Sequence, residues 1–176
     1  DGNNQLEFVV YHCGIANSKY RPYKAGLIYE IELDGEIVAV SDVNTLSSPC
    51  PHYESGNMLP ITSQLGFTFT YNATARQTEY SASVLVDKDC SFFPRPIKKS
   101  VLLQPRSMTS ITKKSELDYL IDLGGEAVGL PKLQLTSLTE QTVIFAWGEV
   151  LQDGSVRKTV GDRNFYFIYK AKSGVN

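Results

Sequence analysis

The chain contains 176 residues, of which 42% are hydrophobic and 20% are charged. This composition suits one folded domain and excludes a disordered, collagen-like or coiled-coil chain. The net charge of −2 argues against a general nucleic-acid binder, which needs a basic surface. No apolar run reaches the length of about 18 residues that a membrane helix needs, so we also expect no membrane insertion.

Two-residue alternation of apolar and polar side chains predicts strands along the N-terminal half. These strands are Gln5–Tyr11, Leu27–Leu33, Glu36–Val40, Leu65–Tyr71 and Thr78–Val86. Asp34-Gly35 is typical of a type I′ hairpin, because Asp and Gly tolerate the positive φ that both turn positions require. This turn would pair Ile31 with Val38. Asp153-Gly154 is a second turn signal of the same composition, near the C-terminus.

The middle of the chain is expected to contain loops and one helix. Asn44 to Pro60 has the Ser, Pro and Gly content of a long surface loop. We expect Leu65–Tyr71 and Thr78–Val86 to pair as antiparallel neighbours. Ser115 resembles a helix N-cap, and Gly124-Gly125 a terminator, which predicts a helix of about two turns.

Two segments near the C-terminus carry apolar residues on both faces. In Thr142–Trp147 and Asn164–Lys170, the alternating aromatic residues face one side and aliphatic or aromatic residues face the other. Such strands are either central in a two-sheet sandwich or covered by another subunit. The whole pattern predicts an all-β fold, an antiparallel β-sandwich of jelly-roll or Greek-key type with one short helix, forming a single domain over residues 1–176.

Charge is unevenly placed along the chain. All charged residues from Ala25 to Pro60 are acidic, and all those from Ser91 to Ser115 are basic. These stretches are either ordinary solvated surfaces or complementary patches used between subunits or toward an anionic ligand.

The candidate binding residues lie in two basic segments, because Tyr and Arg are enriched in binding hot spots and cations can bind an anionic glycan. They are Tyr20, Arg21, Tyr23 and Lys24 in the first segment, and Arg95, Lys98, Lys99 and Arg106 in the second. The candidate subunit contacts are Trp147, Phe165, Phe167 and Tyr169.

The chemistry of an enzyme is missing from the sequence. The common nucleophile, zinc-protease and nucleotide-binding motifs do not occur, and His12 and His52 are the two histidines. We therefore expect no catalytic residues, no metal and no cofactor. Cys13, Cys50 and Cys90 are an odd number, so at least one thiol is unpaired within the chain, which favours folding in a reducing compartment.

Several segments resemble, in their order along the chain, those of a known protein family. The first is Gln5–Gly14, which ends in Cys-Gly, and the second is Leu27–Val40 with its Asp-Gly hairpin. The last two are Val143–Trp147 and the aromatic Phe165–Tyr169. In this order the segments resemble the head, or knob, of an adenovirus fibre. The middle of the chain, Asn44 to Pro131, departs from the family pattern.

The resemblance implies a non-enzymatic, trimeric head at the C-terminal end of a longer fibrous chain. It would attach the virion to a host cell-surface receptor, which is a protein or a sialylated or sulfated glycan. Such a head would lie on the virion surface, after synthesis in the infected cell and assembly in its nucleus. The alternative is another jelly-roll recognition or assembly domain: a viral coat or spike domain, a secreted lectin or a trimeric cytokine-like ligand.

Overall fold

The structure, a computed structural model, describes residues 4–16, 18, 21, 24–56, 58–86, 91–99 and 101–176. Over these residues it contains seventeen short strands and no helix. In chain order the strands are β1 (Glu30–Leu33), β2 (Glu36–Val40), β3 (Leu46–Ser47), β4 (Pro60–Thr62), β5 (Gly66–Phe67), β6 (Thr70–Asn72), β7 (Ser81–Ala82), β8 (Ser110–Lys113), β9 (Tyr119–Asp122), β10 (Thr136–Ser137), β11 (Gln141–Ala146), β12 (Leu151–Gln152), β13 (Ser155–Val156), β14 (Thr159–Val160), β15 (Arg163–Asn164), β16 (Tyr166–Ala171) and β17 (Gly174–Val175).

The strands form seven two-stranded sheets and one three-stranded sheet, in the order β11-β16-β6, within the described part of the chain. The all-β prediction is therefore confirmed. The two-stranded pairs are β1-β2, β3-β7, β4-β5, β8-β9, β10-β17, β12-β13 and β14-β15. Pairs this small are marginal alone, so their stability depends on what packs against them.

The three-stranded sheet is built from the two C-terminal segments with strong alternation, whose prediction as strands is confirmed. β11 and β16 run antiparallel, with Val143 opposite Tyr169 and Phe145 opposite Phe167. β6 joins the other edge of β16 in parallel, which places Tyr71 beside Tyr169. Tyr53 forms an antiparallel bridge with Tyr71, so residues next to Tyr53 extend the sheet beyond β6.

Several predicted pairings are wrong. Gln5–Tyr11 forms no strand; this segment lies extended, with Phe8 stacked on Tyr29 at 5.2 Å between ring centroids. Leu65–Tyr71 and Thr78–Val86 do not pair with each other, because β6 pairs with β16 and β7 pairs with β3. Alternation shows which residues share a face, but the partner strand depends on distant parts of the chain.

The loop predicted from Asn44 to Pro60 is also more ordered than expected. It contains β3, the bridge at Tyr53 and the first residue of β4. The Asp42 carboxylate accepts a hydrogen bond from the Asn44 side-chain amide at 2.9 Å, which is the main cause that lowers the Asp42 pKa. It also accepts hydrogen bonds from the Asn44 and Thr45 backbone N–H groups, at 2.8 and 3.1 Å. This turn directs the chain from β2 into β3.

The helix predicted after Ser115 is replaced by the β8-β9 hairpin. Ile111 pairs with Ile121 and Thr112 with Leu120, and the turn between the strands is closed by Lys114 N–H donating to the Asp118 carbonyl at 2.8 Å. A two-turn helix is too short to be stable by itself. Serine and aspartate also favour turns, so the same residues that resemble a helix cap begin this turn.

The Asp-Gly turn signals are confirmed. Asp34 and Gly35 have φ of 53° and 87°, and the second turn, Asp153 and Gly154, has φ of 52° and 73°. The β1-β2 register agrees with the prediction next to the turn, where Leu33 lies opposite Glu36. Beyond an irregularity between Ile31 and Glu32 the register shifts by one, so Ile31 faces Ala39 instead of Val38.

The chain leaves most of its apolar side chains in contact with solvent. Its accessible surface is 15235 Å². A compact protein of 19.6 kDa exposes about 8,600 Å², so the excess is about 6,600 Å². Ala171, 1% exposed, is the apolar residue that is buried in the described part of the chain. Over the residues that the structure describes, the single chain therefore lacks a closed core.

We predict that Gly35→Val opens the β1-β2 hairpin. A Cβ at Gly35 would have open space around it, so the substitution tests backbone conformation alone. A β-branched residue at positive φ should cost the hairpin about 1–2 kcal/mol. Gly35→Asn is the matched control, because asparagine tolerates this conformation.

Amide hydrogen exchange of β1 and β2 measures the effect locally. Faster exchange in the valine variant than in the asparagine variant is the expected result. Equal protection in the two variants would contradict the observed turn geometry.

Candidate interaction surfaces

One face of the three-stranded sheet is lined by aromatic rings, and we call it the aromatic face. Its members are Tyr53, Phe69, Tyr71, Phe145, Phe167 and Tyr169. They meet because side chains two residues apart along a strand point to the same side, and the observed registers place three strands side by side.

The rings of the aromatic face form continuous contacts across the strands. Phe167 stacks on Phe69 at 4.7 Å between ring centroids and on Phe145 at 5.0 Å. Tyr71 stacks on Tyr169 at 5.5 Å, and the edge of Tyr53 meets Tyr71 at 5.0 Å. Such pairs contribute about 0.5–1.5 kcal/mol each beyond their buried area, so the ring contacts help to hold the three strands together.

A cleft of about 260 Å³ lies over the aromatic face. Its other wall consists of Pro131, Leu133, Leu135 and Asn176. Backbone hydrogen bonds between Leu135 and Asn176, at 2.9 and 3.3 Å, hold this wall in place. The Asn176 amide closes the C-terminal turn by donating to the Lys172 and Gly174 carbonyls. The cleft is lined mainly by apolar side chains and is open to solvent. Water therefore reaches these side chains unless another group fills or covers the cleft.

The four predicted subunit-contact residues are brought together at one end of this sheet. Phe167 and Tyr169 belong to the aromatic face, and Trp147 N–H donates to the Phe165 carbonyl at 3.0 Å. The Trp147 ring lies 6.5 Å from Phe165 and 6.4 Å from Phe167. Trp147 is 43% exposed, so its ring has a free surface in the single chain.

Tyr53, Phe69 and Tyr71 belong to the same surface but were not predicted as contact residues. Phe69 and Tyr71 alternate as the aromatic residues of β16 do, and that shared pattern was the available signal. Tyr53 follows Pro51-His52 inside an apparent loop and carries no such pattern. The parallel pairing of β6 with β16 joins residues almost 100 positions apart, which local sequence does not reveal.

The opposite face of the sheet is more polar. Lys170 forms an ion pair with Glu54, the ion pair found in the described part of the chain. Around it a second cleft of about 260 Å³ is lined by Thr68, Tyr166 and Ile168 among others. Ile144, on β11, is 49% exposed. This face therefore combines a neutralised charge pair with uncovered aliphatic surface.

The second basic segment is an exposed arm, which we call the basic arm and define as residues 91–99 and 101–108. It contains Arg95, Lys98, Lys99 and Arg106 and no acidic residue. All its described residues are exposed, and none of them belongs to a strand. Arg106 donates to the Glu126 carbonyl at 3.4 Å, and the other three cations form no hydrogen bond or ion pair with a described residue.

The first basic segment is described only in part. Arg21 and Lys24 are exposed, whereas Tyr20 and Tyr23 lie outside the described residues. Among the described residues, neither Arg21 nor Lys24 forms a hydrogen bond or an ion pair with the basic arm, so the structure does not join the two candidate binding segments.

Four acidic residues of the acidic stretch lie on the β1-β2 hairpin, residues 30–40, which we call the acidic hairpin. Glu30, Glu32, Asp34 and Glu36 are exposed on it. Apolar residues are exposed beside them, with Ile37 at 59% and Leu33 at 62%. The hairpin carries no cation, and its carboxylates form no ion pair within the described chain.

The described residues contain no group of His, Cys, Asp and Glu side chains able to hold a metal ion. Cys13 and Cys50 are both free thiols, and Cys90 lies outside the described residues. His12 lies in the extended N-terminal segment, and His52 Nδ1 lies 2.9 Å from the Asn72 carbonyl oxygen.

Within the described part of the chain, no helix has the length and apolar character to cross a membrane.

Comparison with known proteins gives no relative: the chain matches no family model, no curated protein and no solved structure.

Burial raises the pKa of Tyr71 above its usual range, and the neighbouring Tyr169, Tyr53 and Cys50 add to the shift. The unfolded chain, with a tyrosine pKa of about 10, therefore loses this proton first as the pH rises. The neutral phenol contributes stability below about pH 10, and that contribution is lost as pH rises through the folded-state pKa. The cause is local to the aromatic face.

We predict that Tyr71→Phe reduces the loss of stability in alkaline solution. The difference from the parent chain should appear only above about pH 10 and stay below about 1 kcal/mol, because Tyr71 is partly solvated. Denaturant unfolding at fixed protein concentration, from about pH 8 to about pH 11, measures it. Tyr119→Phe, on the β8-β9 hairpin, controls for loss of a tyrosine. A Tyr71→Phe curve that follows the parent chain over the whole range would contradict this role.

Proposed function

We propose that the chain is a non-enzymatic, homotrimeric attachment domain that binds a host cell-surface receptor, either a protein or an anionic glycan. The observation that carries the proposal is the open surface of the single chain. Its accessible area exceeds that of a compact protein of this mass by about 6,600 Å². Exposed aromatic and aliphatic surface of this extent favours association over solvation.

The size of the excess favours a permanent assembly. A standard interface removes about 800 Å² from each partner, and obligate assemblies remove several times more. Two neighbours per chain, as in a closed trimer, would cover more of the excess than the single neighbour of a dimer. Trp147 and Phe165, at the end of the aromatic face, are well placed to take part because their rings retain exposed surface beside a rigid sheet.

Association also supplies the missing half of the fold. We infer that the sheets close into an antiparallel β-sandwich of jelly-roll type over residues 1–176, with its core completed across copies. The parallel β6-β16 pair is then a local exception in an otherwise antiparallel arrangement. The resemblance of the terminal strands to a fibre head supports a place at the end of a longer chain, on the virion surface.

Receptor binding rests on exposed basic segments and on the resemblance. Arg21 and Lys24 are exposed beside two tyrosines of the sequence, and the basic arm offers four further cations. Charge-assisted hydrogen bonds from such cations suit carboxylate or sulfate groups on a glycan. Catalysis is not part of the proposal, since no acid–base or nucleophile arrangement emerges from the described side chains.

We predict that the protein sediments as a trimer at micromolar concentration and that the labelled trimer binds host cells. Trp147→Lys should shift the trimer toward monomer, because it places a charge in an apolar contact, and should weaken cell binding through lost multivalency. Leu117→Lys, on the 85%-exposed turn residue between β8 and β9, is the matched control. It should leave mass and binding unchanged.

The outcomes separate the candidate functions. A stable monomer with no binding to cells or glycans would overturn the proposal. A trimer that binds no host cell or glycan would favour an assembly role, such as a viral coat domain, over attachment.

A further inference from the structure

The basic arm and the acidic hairpin have opposite charges, and neither surface forms an ion pair within the described chain. The arm carries four cations and no anion, and the hairpin carries four anions and no cation. The sole ion pair in the described chain, between Lys170 and Glu54, uses neither surface. Both surfaces are therefore free to neutralise a charge outside their own chain.

The same two surfaces are also apolar. Phe92, Phe93 and Leu103 on the arm are 73%, 82% and 85% exposed, and Leu33 and Ile37 on the hairpin are 62% and 59% exposed. A site that bound only an anionic ligand would use the cations and would leave these apolar side chains in water. Contact between an apolar arm and an apolar hairpin would remove both from water, with the charges fixing the alignment.

The charges on each surface are closely grouped. The arm carries three cations within residues 95–99, where the chain bends at Pro96 and Ile97. The hairpin carries three carboxylates within residues 30–34. Like charges grouped in this way give each surface a strong local field, which orients an oppositely charged partner. Pro94 and Pro96 also fix φ at two positions of the arm, which lowers the conformational entropy that it loses on docking.

We propose that the basic arm of one copy lies against the acidic hairpin of a neighbouring copy and so links the subunits around the assembly. The inference rests on the homotrimer of the proposed function and deepens it. It moves the charges of Arg95, Lys98 and Lys99 from the receptor, to which the proposed function offers them, to subunit contacts. Arg21 and Lys24 are then the described cations left for the receptor. In a closed ring each copy gives its arm to one neighbour and accepts an arm from the other, which satisfies every charge.

The test is a charge exchange followed by sedimentation over a range of protein concentrations. The arm variant is R95E/K98E/K99E, and the hairpin variant is E30K/E32K/E36K. Each should raise the dissociation concentration by about tenfold or more, because attraction becomes repulsion between copies. The chain that carries both sets of changes should recover assembly close to that of the parent chain. Its recovery also shows that each reversed surface is compatible with folding.

A matched control changes the net charge by the same amount at cations outside both surfaces. R157E/K158E/K172E serves this purpose, since all three residues are exposed. This variant should assemble as the parent chain does. If it dissociates as strongly as the arm variant, net charge alone explains the effect and the inference is overturned.

The remaining outcomes distinguish this inference from the proposed function. A trimeric parent chain whose assembly is unaffected by the arm and hairpin variants overturns the arm contact and leaves the trimer intact. Arm-variant trimers that lose binding to heparin or sialylated glycans also overturn it, and assign the arm to the receptor. A monomeric parent chain overturns the proposed function itself.

Discussion

The rings of the aromatic face can be kept from water only by surface from outside the sheet that carries them. Phe167 stacks on both Phe69 and Phe145 across the sheet, and a wall of three apolar residues and Asn176 covers these rings in part. Beyond that wall the cleft is open. Removal of apolar surface from water is the dominant favourable term in folding, so the stability of this protein depends on how the opening is closed.

The other features of the molecule follow from the same constraint. Its sheets are too small to be stable alone, and their neighbours in the chain leave most apolar side chains exposed. In the proposed assembly, identical copies cover this surface without a second kind of protein, because each copy carries both the surface to be covered and the surface that covers it. The basic arm and the acidic hairpin would then give the assembly a direction, since opposite charges favour the arrangement that brings them together.

Attachment to a receptor is a natural use of such an assembly. Multiple copies present identical loops together, so weak individual contacts combine into stable binding when the geometry allows simultaneous engagement. In the proposed assembly, the aromatic face and the charged surfaces serve the contacts between copies. Arg21 and Lys24, which are exposed, then remain for recognition, so that different residues would build the particle and bind its target.

The sequence predicted the parts of the fold that depend on local pattern. The all-β class, the two Asp-Gly turns and the terminal strands around Phe145 and Phe167 follow from alternation and turn chemistry, which act within a few residues. The helix after Ser115 was mistaken because cap and turn residues are the same types.

Long-range pairing was beyond local pattern. The partnership of β6 with β16 and the membership of Tyr53 in the aromatic face join distant residues, and only their packing selects them. The meeting of Trp147, Phe165, Phe167 and Tyr169 follows from local pattern. Phe167 and Tyr169 lie on β16, Phe165 directly precedes β16, and Trp147 directly follows its partner strand β11. The binding candidates were recognised by composition, but composition does not tell a receptor contact from a subunit contact.

The fluorescence of Trp147 tests the central claim most directly, because it is the single tryptophan of the chain and lies at the open end of the aromatic face. If copies cover this face, its emission is that of a buried indole at micromolar concentration and moves toward the spectrum of hydrated indole on dilution, in step with the loss of trimer mass. Emission of a hydrated indole that is independent of concentration would contradict the account.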